Sequence, residues 1–147
     1  MLLRSVHFVA AIVFVATIVI QVFLAGAAIG NLGGSGDFAV HRDFGYTWVG
    51  LASLAVLLTA IAARVGRRRI GIAFGMLVLY IIQTVLPHLK DTATWLAALH
   101  PVNALFLFGI AIWYARSAWR DRAVARPSVP PATPATPATP APPAEQA

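Results

Sequence analysis

Four stretches of this 147-residue chain contain no Asp, Glu, Lys or Arg: His7 to Ala28, Phe44 to Ala63, Ile70 to Pro87, and Thr92 to Ala115. Their lengths run from 18 to 24 residues, and a helix needs about 20 residues to cross a hydrocarbon core of about 30 Å. In hydrocarbon every backbone polar group must find its partner within the structure, which leaves helices and closed barrels. Barrel strands alternate apolar and polar residues, and these runs do not alternate. The expected fold is all-α, a four-helix transmembrane bundle over residues 1–120. The remaining 121–147 are a Pro/Ala/Thr-rich tail whose Pro-Ala-Thr repeats bury no core and are expected to be disordered.

Charge sets the orientation. Arg4, Arg64, Arg67, Arg68, Arg69, Arg116, Arg120, Arg122 and Arg126 fall on one side of a four-span arrangement, and only Arg42 and Lys90 on the other. Basic residues gather on the cytoplasmic side, so both termini are expected inside. Tyr46, Trp48 and Trp95 then mark the outer interface, and Trp113, Tyr114 and Trp119 the inner one. The arginine-rich, alanine-rich composition suggests a bacterial plasma membrane as the setting. The first run starts after a basic residue and ends in Ala25-Gly26-Ala27 like a secretory leader. It is, however, longer than the 7–15 residues of a leader's apolar core, and it reads as a retained span.

Only 11% of residues are charged and 59% are hydrophobic, against about 25% charged in soluble domains. The net charge of +6 lies at the ends of apolar runs, so it argues for the lipid bilayer as partner and against nucleic acid. The absence of cysteine excludes disulfides, thiol catalysis and iron–sulfur ligation. The glycine-rich Gly30–Gly36 lacks the lysine and flanking strand of a phosphate-binding loop and reads as a linker.

The strongly polar side chains of the spans are Gln21, Gln83, His88, His100 and Asn103, with His41 one turn ahead of the second span. All lie toward the outer ends, and polar groups in membranes turn inward to the bundle or to a watery cavity. They therefore suggest one site that opens outward. His7, beside Arg4, reads as an interfacial residue. His41 has Gly45 four residues on, and His100 has Ala104. Positions i and i+4 share a helix face, so each imidazole stands above a small residue. Two such histidines on facing helices suit the axial ligation of one haem, with Gly45 and Ala104 making room for the macrocycle. His88 is an alternative ligand. A zinc or copper ion on His41, His88 and His100 is a weaker option, because no carboxylate completes it. Gln21, Gln83 and Asn103 read as interhelical hydrogen-bonding residues that also orient the histidine rings.

The order Ile20-Gln21-Val22-Phe23-Leu24-Ala25-Gly26, His41 with Gly45, Gln83, then Leu99-His100-Pro101-Val102-Asn103-Ala104 resembles a family of short bacterial four-helix membrane proteins known only as a domain of unknown function. More distantly, His41-Arg42-Asp43-Phe44-Gly45 is similar to the His-Arg-x-x-Gly motif of haem A synthases. Those proteins consist of two four-helix halves, each with a haem between histidines of its second and fourth helices. That resemblance implies His41 and His100 as a ligand pair for haem b. It does not imply haem A synthesis, because Phe38, with Asp37 beside it, stands where the catalytic half carries a glutamate, and the chain amounts to one half.

The function expected from the sequence is therefore a b-type cytochrome-like module in the plasma membrane. It would exchange electrons with a membrane or outer-face redox partner, or handle haem. The alternative is a haem-free structural or accessory membrane protein. A transporter would show broken helices or intramembrane charges, and neither is evident beyond Pro101.

Overall fold

The computed structural model describes residues 2–32 and 36–124; residues 121–124, expected to begin the disordered tail, instead continue the last helix, and the rest of the tail lies outside the described residues. Four helices are long and apolar enough to cross a membrane, and no strand occurs among the described residues. They are α1 (Leu2–Ile29), α2 (Ala39–Ala62), α3 (Arg67–Leu89) and α4 (Leu99–Val124), the last preceded by the single turn Thr94–Ala97. The helices outrun the charge-free stretches at most ends, because hydropathy marks the hydrocarbon while helical hydrogen bonding continues into the interface. This places His41 on the first turn of α2 rather than ahead of it.

The helices form a square, with α1 against α2 and α4, and α3 against α2 and α4; α1 and α3, and α2 and α4, are the diagonals. A heptad-like stripe on each helix explains the packing, since residues three and four apart share a face. On α1 it runs through His7, Ala11, Phe14, Ile18 and Gln21, and on α3 through Arg69, Ala73, Met76, Tyr80 and Gln83. On α4 it runs through His100, Leu107, Ala111, Tyr114 and Ala118. Ala60 of α2 and Ala73 of α3 are fully buried, and such small residues let membrane helices approach closely. The outward faces carry Val, Ile, Leu and Phe, as a lipid-facing surface requires.

Two helix ends close with a left-handed residue. Asn31 has φ 54°, with Leu32 N–H bonded to the Ala27 carbonyl at 2.9 Å. Arg64 has φ 50°, with Val65 N–H bonded to the Ala60 carbonyl at 3.2 Å. Both are Schellman closures built without glycine. Gly66 at φ 99° then turns the chain into α3.

Two local departures from α geometry bear on the polar residues. Gly45–Val49 in α2 forms a π turn. Tyr80 of α3 donates its hydroxyl to the carbonyls there, at 3.3 Å to Gly45 and 3.1 Å to Tyr46. In α3, Pro87 has no N–H, so the last turn Leu86–Leu89 tightens to 3-10 geometry and the Gln83 carbonyl loses its i+4 donor.

Candidate functional site

Each of the two helical hairpins carries one glutamine–histidine clip at the arginine-poor end of the bundle. In the first, His41 Nδ1–H donates to the Gln21 backbone carbonyl at 3.0 Å, and Gln21 Nε2 donates to His41 Nε2 at 3.2 Å and to the His41 carbonyl at 2.9 Å. In the second, His100 Nδ1–H donates to the Gln83 carbonyl at 3.0 Å, and Gln83 Nε2 donates to His100 Nε2 at 3.2 Å. A carbonyl oxygen only accepts, so both Nδ1 atoms carry the proton and both Nε2 atoms present the lone pair.

The two clips differ in completeness. Asn103 Nδ2 donates to Gln83 Oε1 at 2.7 Å and to the Leu79 carbonyl at 3.0 Å, so every polar atom of the Gln83 amide has a partner. Gln21 Oε1 is buried with no partner. Asn103 thus serves α3 and the second glutamine, and not the backbone group that Pro101 would free in its own helix. Pro101 falls in the first turn of α4, where a missing N–H costs little.

His41 and His100 sit on diagonal helices and meet near the middle of the square, ring centroids 6.4 Å apart and planes at 70°. Metal–imidazole bonds run about 2.0–2.1 Å, so two imidazoles that share one ion through Nε2 stand roughly 6 Å apart by centroid. His88 is exposed and turned elsewhere, with Nδ1 on the Thr84 carbonyl at 2.9 Å and Nε2 at 3.3 Å from the Tyr46 hydroxyl. No group of three His or carboxylate side chains able to hold a metal ion occurs among the described residues, which removes the three-histidine zinc or copper arrangement. The room beside Gly45 is taken: a Cβ there would meet Gln21 Nε2 at 2.6 Å. The glycine therefore admits the clip's own amide and leaves no free space for a macrocycle. Ala104 lies half-buried on α4, one turn past His100.

A second polar cluster, at the arginine-rich end, corrects the reading of His7 as interfacial. His7 is 1% exposed, within 3.0 Å of the Thr59 hydroxyl through Nδ1 and edge-on to Tyr114 at 5.5 Å. Its Nε2 has no partner. Tyr114 donates to the Arg69 carbonyl, and Arg69 pairs with Asp121 and donates to the Ser117 carbonyl. Proximity to Arg4 in the sequence suggested the surface, but the spacing from His7 to Ala11, Phe14 and Ile18 puts the ring on the buried stripe. That spacing was the signal available.

No curated protein and no solved structure matches the chain, and the resemblance to haem A synthases gains no support from these comparisons. Residues 21–93 match a family of unknown function, DUF6220. The matched segment opens on Gln21 and takes in His41, Gly45, Gln83 and His88, while His100 and Asn103 lie beyond it. Over the stretch from Gln21 to Ala93, this chain is thus similar to a family whose function has not been assigned.

Proposed function

We propose that this multi-pass membrane protein binds one haem b between α2 and α4, with His41 and His100 as axial ligands. The observation that carries the reading is the 6.4 Å separation of two imidazoles that each present Nε2 while Nδ1–H is fixed on a backbone carbonyl. Ligating histidines commonly anchor the far nitrogen in this way, which sets tautomer and ring direction. The two imidazoles suit the axial positions by spacing, while the glutamine amides hold both Nε2 lone pairs and the space beside Gly45, so a macrocycle would enter only once those amides have moved. Gln21 Oε1 is buried without a partner, so moving this amide would cost only the bonds its Nε2 makes to His41. Both glutamine amides must swing off Nε2 for the histidines to ligate, and they then become hydrogen-bonding walls. When bound, such a group supplies one-electron chemistry tuned by its ligands and their hydrogen bonds.

The charge asymmetry supports an orientation with the arginine-rich end and both termini in the cytoplasm, and the histidine pair near the outer face of a bacterial plasma membrane. One haem at that depth suits electron exchange with an outer-face partner, or haem handling, rather than transfer across the whole bilayer. The test is the absorption spectrum of the detergent-purified chain after expression with ample haem. A Soret band with sharp reducible α and β bands, lost in His41→Ala/His100→Ala, supports the reading, and a colourless protein ends it.

A second reading, a haem-free structural or accessory membrane protein, is favoured by one specific feature. Both clips close on themselves, with all four ring nitrogens partnered by Gln21 and Gln83. In that case the four residues serve as interhelical ties, each worth about 0.6–2 kcal/mol.

A further inference from the structure

We propose that the arginine-rich end carries a seat for one anionic phospholipid on the outward face of α4, a proposal independent of the haem reading. Phe106, Gly109, Trp113, Arg116 and Arg120 follow one another at alternating steps of three and four residues, so they stack along one side of the helix. That side is turned away from the buried stripe of Leu107, Ala111, Tyr114 and Ala118, and all five of its residues are exposed. The stripe changes character where a lipid does. Around Gly109 lies an apolar hollow of about 300 Å³ lined by Leu105, Phe106, Gly109, Ile110 and Trp113. No atom comes within 4 Å of where a Cβ on the glycine would stand. Such a hollow suits an acyl chain. Trp113 follows at the place where amphipathic rings sit among headgroups. Arg116 and Arg120 come next, about 10 and 16 Å along the axis from Gly109, at the level of the phosphates.

Charge selects the headgroup. Asp121 is the only carboxylate among the described residues at this end, and Arg69 takes it. Arg122 lies over the rings of Trp119 and Phe8, 4.2 and 4.8 Å from their centroids, and is thereby tied to α1. Arg116 and Arg120 have no such tie: neither makes an ion pair or a side-chain hydrogen bond among the described residues. Like charges one helical turn apart repel. A phosphate between the two guanidinium groups removes that repulsion and accepts charge-assisted N–H bonds from both. A zwitterionic headgroup brings its own cation to the same place and gives part of the gain back.

The experiment titrates the full chain, purified in detergent, with phosphatidylglycerol and with phosphatidylcholine of the same acyl chains, and reads bound lipid by native mass spectrometry. Two arginines beside an anionic lipid are worth roughly ten- to thirtyfold in affinity, so the wild type should hold one phosphatidylglycerol in preference to phosphatidylcholine by about that factor. Arg116→Gln/Arg120→Gln should abolish the preference. Arg64→Gln/Arg67→Gln removes the same charge around the turn between α2 and α3, and should leave the preference within about twofold of wild type. Gly109→Leu keeps both arginines and grows into open space, so the fold is not at stake; it fills the hollow and should weaken phosphatidylglycerol binding about fivefold or more. No preference in the wild type, equal losses from the two arginine pairs, or unchanged binding in Gly109→Leu overturns the proposal.

Discussion

Tyr80 places its hydroxyl where Gly50 has no side chain: a Cβ on that glycine would stand 2.5 Å from the tyrosine oxygen. The close approach lets Tyr80 reach the Gly45 and Tyr46 carbonyls of the π turn. π turns are often found at functional sites, and this one directly follows the turn that carries His41. Gly50→Val should therefore cost about 1–3 kcal/mol by overpacking, and Tyr80→Phe about 0.6–2 kcal/mol by loss of an interhelical bond. Unfolding in mixed detergent micelles measures both. Wild-type stability in Gly50→Val would contradict the contact.

His7 fills space without satisfying its own ring. Thr59 keeps bonds to the Ala55 and Val56 carbonyls whether or not the imidazole is there, and His7 Nε2 has no partner. His7→Leu should stay within about 1 kcal/mol of wild type, since it removes an unsatisfied buried nitrogen. His7→Ala should cost about 2–4 kcal/mol for the cavity it opens. The same unfolding assay decides, and a large loss in His7→Leu would mean that the ring has a polar task.

The turn between α2 and α3 offers two substitutions of opposite sign. Gly66 at φ 99° is in a conformation that side chains avoid, so Gly66→Ala should destabilise by about 1–3 kcal/mol. Arg64 already bears the strain of φ 50°, and Arg64→Gly should relieve about 1 kcal/mol, less what glycine adds to the unfolded chain's freedom. Paired measurements on the two variants check the signs, and matching signs would contradict the turn's geometry.

Much of this fold was legible because charge-free length is a one-dimensional signal: all four spans follow from where Arg, Lys, Asp and Glu are absent. The pairing of His41 and His100 at one end was also legible, from their places in a down-running second and fourth helix. What escaped was direction around each helix axis. Gly45 was read as vacant room, yet which neighbour fills a glycine's space depends on the partner helix, and here it is Gln21. Asn103 was read as an interhelical hydrogen-bonding residue, but that its partners would be Leu79 and Gln83 of α3 was not legible. The role of Pro87 in freeing the Gln83 carbonyl needed the knowledge that His100 lies opposite. The cluster of His7, Thr59, Arg69, Tyr114 and Asp121 at the arginine-rich end draws on all four helices, and no local motif announces it.

The central claim is that His41 and His100 can share one iron. Electron paramagnetic resonance of the oxidised, haem-loaded full chain tests it most directly. The account predicts a low-spin bis-imidazole signal that integrates to one haem per chain and disappears when both histidines are replaced. A protein that takes up no haem, or a low-spin signal that survives His41→Ala/His100→Ala, would contradict it.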